Sequence, residues 1–217
     1  MMRLNLTALL LFSFLGFTFC AGTENSENDD GWISLFDGES LDGWQVGENA
    51  ETIWVEEDYI RIDGPRAHLY YVGEVENANF TNFEFKTKVL TKPEANSGVY
   101  FHTEYRETGW PDVGYEVQVN NSHSDWRRTG SLWDVMDIKE TYVDDDEWFE
   151  LYFKVDGKDV EVKINGTKVL HYHEPENPVR AEGAMQNRVL DSGTFALQGH
   201  DPNSVMFFKN IYVRPLP

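Results

Sequence analysis

In the stretch G-Y-E-V-Q-V-N-N (residues 114–121), Glu116, Gln118 and Asn120 alternate with Tyr115, Val117 and Val119. That alternation has the period of a β-strand, so the polar side chains share one face. Two other runs repeat the pattern. In residues 98–103, Tyr100 and His102 oppose Val99 and Phe101; in residues 195–200, Ala196, Gln198 and His200 oppose Phe195 and Leu197. If the three runs are sheet neighbours, Tyr100, His102, Glu116, Gln118, Gln198 and His200 form one polar, aromatic-edged surface. A Glu beside a His suits general acid/base work near neutral pH, because each shifts the proton affinity of the other. The competing reading is the solvated face of an antiparallel sheet. Such faces favour Lys, Glu and Thr, whereas this one is rich in Gln, His and Tyr.

The adjoining loops, residues 104–113 and 122–137, carry Trp110, Trp126 and Trp133. Sugar rings present apolar C–H faces that stack on indoles, and hydroxyls that need amide, carboxylate or imidazole partners. The set therefore reads as carbohydrate-binding, with Trp126 and Trp133 as stacking surfaces. An ordinary glycosidase needs two flanking carboxylates. Asp112, Asp125 and Asp134 could each partner Glu116, and spacing selects none of them. There is no P-loop, no G-x-G-x-x-G after a strand, no H-E-x-x-H and no G-x-S-x-G elbow. His171-x-His173 shares one strand face but has no nearby third ligand in sequence, and the acidic run 144–147 matches no EF-hand spacing, so both read as structural or solvated features. No metal site is assigned, although a divalent ion held by the polar row is conceivable.

The elements that must position these residues are strands. The chain has 217 residues, 41% hydrophobic and 14% aromatic, enough to bury the core of one larger all-β domain. Short Val-, Ile-, Phe- and Tyr-rich runs punctuated by Gly, Asn and Asp predict strands near 52–56, 59–62, 80–90, 98–103, 114–120, 148–156, 159–164, 167–172, 193–198 and 205–213. Asp156-Gly157 and Asn165-Gly166 are hairpin signals. The formal net charge of −20 disfavours nucleic acid and anionic lipid as partners. Residues 1–20 join Arg3 to a short apolar run and predict export. The sole cysteine, Cys20, closes that segment before an acidic tether (21–31), which favours a lipid-anchored periplasmic or cell-surface protein over simple secretion. The folded domain is expected over 32–217.

Five motifs then occur in order: W-I-S-L-F-D-G-E-S-L-D-G-W (32–44), N-S-G-V-Y-F-H (96–102), Y-E-V-Q (115–118), T-G-S-L (129–132) and G-T-F-A-L-Q-G-H with F-K-N-I-Y-V-R-P-L (193–200 and 208–216). Together they resemble the 3-keto-disaccharide hydrolase domain family over nearly the whole chain after the tether. The resemblance implies a single-domain, concanavalin A-like (laminin G-like) jelly-roll β-sandwich of two antiparallel sheets. Its first and last strands would be close, and a concave face would hold the site. It also implies cleavage of glycosides oxidised to a ketone at sugar carbon 3. Carried over by position, Glu116 becomes the acid/base, while Asn96, Gln118 and His200 place hydroxyls or the ketone. His102 departs from the Arg that relatives carry at that strand end. A non-catalytic carbohydrate-binding module on the same fold is the alternative, distinguished by whether Glu116 turns substrate over.

Overall fold

The computed structural model describes residues 30–180 and 186–217. The export segment, Cys20 and the tether up to residue 29 lie outside the described residues. Thirteen strands follow one another among the described residues: β1 (Ile33–Ser34), β2 (Trp44–Val46), β3 (Ile53–Glu56), β4 (Tyr59–Asp63), β5 (Ala67–Tyr71), β6 (Phe83–Thr91), β7 (Ser97–Thr103), β8 (Tyr115–Val119), β9 (Phe149–Asp156), β10 (Asp159–Ile164), β11 (Thr167–His173), β12 (Thr194–Gly199) and β13 (Val205–Pro215). They form two antiparallel sheets. The larger runs β11-β10-β9-β6-β13-β4-β3, with β1 also on β13; the smaller runs β2-β5-β12-β7-β8. This is the single-domain jelly-roll sandwich expected, with first and last strands paired through Ile33↔Val213 and Ser34↔Tyr212.

Local chemistry explains the strands. In β9 and β10, Phe149, Leu151, Phe153, Val155, Val160, Val162 and Ile164 point inward and alternate with partly exposed polar residues. Asn165 and Gly166 both have positive φ (48° and 78°), as a tight turn between right-twisted strands requires. Aromatic rings join the sheets: Phe85, stacked on its neighbour Phe153 in the larger sheet at 4.8 Å, meets Phe195 of the smaller sheet at 4.8 Å. Each such buried ring stabilises the fold by roughly 1.5–3 kcal/mol.

Three strands, β1, β2 and β5, escape the sequence reading. The first two are too short to show a period. Strand β5 (A-H-L-Y-Y) is buried at every position, so no polar side of the alternation exists to reveal it. Strands β7, β8 and β12 are buried throughout as well. Both faces of the smaller sheet from β5 to β8 are therefore covered, one by the core and the other by loops, whereas the larger sheet keeps a partly solvated outer face.

Candidate active site

Register places the polar row. Tyr100 pairs with Glu116 and Gly98 with Gln118 across β7–β8; Ala196 pairs with Tyr100 across β12–β7; Gln198 pairs with His68 across β12–β5. The row is not a solvated face: Glu116 is 4% exposed and Gln118 and Gln198 are each 1% exposed. The edge of β8 is closed by the T-G-S-L segment. There Gly130 N–H donates to Gln118 O, Gln118 N–H to Ser131 O, and Trp133 N–H to Glu116 O. Asn120 organises the loop that follows β8. Its amide donates to the carbonyls of Asp125 and Arg127, and its Oδ1 accepts from His123 N–H and Arg128.

A cavity of about 220 Å³ opens over the row. At a liquid share of about 30 Å³ per water, that equals about seven waters, room for one sugar ring and its hydroxyls. Its walls include Asn96, Tyr100, Glu116, Gln118, Gln198 and His200, with Trp110 and Trp133 at the sides and Asp125 and Arg188 completing it. A wider groove of about 740 Å³ is lined by His102 with Tyr71, Tyr105 and Asp191, and holds no other member of the polar row.

Within the cavity the hydrogen bonds are directional. Gln198 Nε2 donates to Glu116 Oε1 (3.0 Å) and to the Tyr100 hydroxyl (2.9 Å). Gln118 Nε2 donates to Asn96 Oδ1 (2.9 Å). The side-chain carbonyl oxygens of Gln118 and Gln198 are buried with no hydrogen-bond partner among the described residues. Such acceptors are costly to leave unmade, and a ligand hydroxyl would satisfy them. Burial pushes the Glu116 carboxyl above its usual range, against the opposing pull of Arg188, Tyr100, Gln198 and His200. Arg188 Nη2 lies 3.6 Å from Glu116 Oε2, with both side chains 5% exposed. Burial, with the Glu116 charge adding to it, pushes the Tyr100 phenol up, so it remains a proton donor.

His200 closes the wall. Its Nδ1 lies 2.8 Å from Asp201 Oδ2, which also accepts from the Ser204 hydroxyl (2.8 Å). Ser204 Oγ in turn accepts from Asn96 N–H (2.9 Å). Burial works against ionised Asp201, yet His200, Ser204 and Asn203 N–H hold its carboxyl below the usual range. An ionised carboxylate only accepts, so His200 Nδ1 carries the hydrogen and Nε2 is left for other chemistry.

Two expected site residues lie elsewhere. His102 has φ 55° in a β-bulge, where residues 100–103 of β7 oppose residues 194–196 of β12. The extra residue breaks the two-residue period and removes its side chain from the Tyr100 face. The ring bonds Thr81 O through Nε2 (2.9 Å) and accepts Asp191 N–H at Nδ1 (3.2 Å). Burial lowers its pKa to about 4, which favours the neutral ring, and both ring nitrogens are engaged away from the cavity. His102→Ala is expected to cost about 2–4 kcal/mol in a denaturant titration while leaving sugar binding in the cavity unchanged. Lost binding at unchanged stability would return His102 to the site. Trp126 does not line the cavity; it is 46% exposed, with the Arg127 guanidinium 5.1 Å and Lys139 Nζ 5.2 Å from its ring. Trp133 does line it, with the guanidinium carbons of Arg127 and Arg188 at 4.9 and 5.1 Å.

Sequence reasoning missed Arg188 and His68. Arg188 lies outside any periodic strand, and no motif marks it. His68 sits on the unrecognised β5, with its ring 5.7 Å from Tyr100 and 5.5 Å from Trp110. His171 and His173 both bond Asp159 Oδ1, at 3.0 and 3.1 Å, on the exposed face. Among the described residues, no group of three or more His, Cys, Asp or Glu is arranged to hold a metal.

Comparison with known proteins places this geometry in context. The sequence profile of the 3-keto-alpha-glucoside-1,2-lyase-like domain matches residues 31–214. A candidate glycosyl hydrolase from Parabacteroides distasonis ATCC 8503 superposes with a TM-score of 0.74 at 21% identity, covering 86% of this chain and 94% of that one. The carbohydrate-binding module CBM66 from Bacillus subtilis follows at TM-score 0.56 and 13% identity, covering 79% and 95%. A Bacillus subtilis protein with a galectin-like fold gives TM-score 0.55 at 11% identity, covering 81% and 90%. At these identities the likeness is one of fold. No curated protein matches the chain.

Proposed function

The chain belongs to the 3-keto-alpha-glucoside-1,2-lyase-like family, and on that premise we propose that it cleaves 3-keto-glycosides by elimination across C1–C2, followed by hydration. The observation that carries this reading is the buried Glu116 carboxyl, raised in pKa and set beside Arg188 in a cavity sized for one sugar ring. A ketone at C3 acidifies the C2 proton. Glu116 removes that proton, and the electron pair passes into an enolate on the C3 oxygen. Arg188 and the Tyr100 hydroxyl suit that developing charge. Collapse of the enolate restores the ketone, forms C1=C2 and breaks the C1–O bond, and the departing oxygen takes a proton from Nε2 of His200, which carries hydrogen on both ring nitrogens for this step. Water then adds at C1 and returns a proton to His200, while C2 takes a proton from Glu116, which balances to net hydrolysis. Asn96, Gln118 and Gln198 hold the ring hydroxyls. No second carboxylate is required, which suits a site where Glu116 is the buried acid of the row.

The test is turnover of a 3-keto-disaccharide in deuterated water. Elimination and rehydration leave one solvent deuterium on C2 of the released sugar wherever the proton on Glu116 exchanges with solvent before it returns, and a C2-deuterated substrate reacts more slowly in either case. Release with C2–H intact and at the same rate from the C2-deuterated substrate points to direct displacement and sinks the elimination route. The alternative, a non-catalytic carbohydrate-binding module, predicts binding of unoxidised glycans without turnover. On that reading Glu116 and Arg188 would only hydrogen-bond ring hydroxyls, and Glu116→Gln would change affinity with no turnover to lose.

The pH dependence has a definite sign. A base must be ionised, and burial favours the protonated form of Glu116. Therefore kcat/KM should rise with pH through a midpoint above the ordinary value of 4.5. An acid limb at or below that value in the pH–rate profile contradicts Glu116 as base.

A further inference from the structure

Arg188 has no regular element to hold it, yet its carbonyl and the amide two residues on are tied to a buried polar cluster outside the cavity. Glu174, which follows β11, is the hub. Its carboxylate accepts Leu190 N–H (3.1 Å to Oε1, 3.2 Å to Oε2), the Tyr115 hydroxyl and Arg180 Nη2 (3.3 Å). Arg180 donates from Nε to Arg188 O (2.6 Å) and from Nη2 to the Tyr172 hydroxyl (2.9 Å). Glu174 and Arg180 are each only 8% exposed through their side chains. Tyr115 and Glu116 are neighbours on β8, so their side chains point to opposite faces. One strand thus carries the carboxyl of the cavity and a hydroxyl of the cluster behind it.

We propose that Glu174, with Tyr115 and Arg180, is a positioning clamp that sets Arg188 against Glu116. The proposal rests on the roles given above to Glu116 and Arg188. A buried ion pair is weak as a source of stability, because desolvating both charges offsets most of their attraction. What it supplies is geometry. The Arg188 carbonyl and the Leu190 amide are both tied to the clamp, and the Arg188 side chain reaches over Trp133 and Tyr100, with guanidinium distances of 5.1 and 5.8 Å. Its Nη2 then lies 3.6 Å from Glu116. A shift of about 1 Å in such a group is enough to cost about a hundredfold in rate.

The clamp can be tested without substrate. The groups facing Glu116 are Arg188, Tyr100, Gln198 and His200, and Arg188 heads those that oppose the effect of burial. Carbon-13 carboxyl NMR of Glu-labelled protein, with the Glu116 signal assigned through Glu116→Gln, follows its titration directly. Arg188→Met should move the Glu116 midpoint to higher pH, and Glu174→Gln should move it the same way, by about one unit. Tyr115→Phe deletes one hydroxyl of the cluster and keeps the question answerable should Glu174→Gln fail to fold. On a 3-keto-disaccharide both clamp variants should lose about tenfold to a hundredfold in kcat with little change in KM. A purely structural role for Glu174 would lower the melting temperature and leave the Glu116 titration in place. That result, with Arg188→Met shifted, overturns the clamp and leaves the proposed reaction standing. A shifted titration in a protein that turns over no 3-keto-glycoside overturns the reaction and leaves the clamp.

Discussion

Glu116→Gln is expected to lower kcat on a 3-keto-disaccharide by about 10²–10⁴-fold, the range in which a positioned acid/base contributes. The substitution is nearly isosteric, so the amide can still accept from Gln198 Nε2 where the carboxylate does at 3.0 Å. Binding should therefore survive, and KM should change far less than kcat. Stability has its own sign. The folded-state pKa of Glu116 is raised, so its contribution to stability is fully present below the unfolded value and is lost as pH rises through the folded one. The amide of the variant does not titrate, so the variant should be relatively more stable at alkaline pH than at acid pH when compared with wild type. Thermal melts at several pH values, beside steady-state kinetics, check both halves. A variant with wild-type kcat removes Glu116 from the chemistry.

Gly98→Ala is expected to be nearly as damaging, although Gly98 carries no chemistry. A Cβ at that position would lie 2.5 Å from Glu116 Oε1, 2.7 Å from its Cγ and 2.9 Å from its Cδ. A flexible side chain could swing away cheaply. Glu116 cannot, because Gln198 and Tyr100 bond its carboxyl and Arg188 stands beside it. Overpacking of this kind costs about 1–3 kcal/mol, and displacing the carboxylate by about 1 Å should take about a hundredfold or more from kcat/KM. The measurement is a denaturant midpoint together with kcat/KM on folded protein. Wild-type kcat/KM in Gly98→Ala would show that the position of Glu116 is not what sets the rate. Ala196, paired with both Tyr70 and Tyr100, is the second small residue of this floor.

The strands that carry the row are legible because their inward residues alternate strictly. Val99 and Phe101, Val117 and Val119, and Phe195 and Leu197 place Tyr100, Glu116, Gln118 and Gln198 on the other side, which the registers then align. Periodicity misleads where the period breaks. His102 sits in a bulge with left-handed backbone, a conformation no local sequence rule assigns to histidine. Trp126 is placed in sequence by its loop alone, and a loop residue has no period from which to infer its direction. Arg188 is invisible for the same reason.

From the residues alone come the all-β class, the hairpins at Asp156-Gly157 and Asn165-Gly166, the family, and the face that holds Glu116. Each depends on information a few residues long: alternation, turn chemistry, or the order of short motifs. Whether that face is solvated or enclosed is not among them. Loops from residues 104–113, 122–137 and 186–192 converge on it only when the sheets pack, and enclosure is what raises the Glu116 carboxyl and brings Arg188 to 3.6 Å. Desolvation is a property of everything around a group in space, so a strand can name its carboxylate while only the folded chain sets its proton affinity.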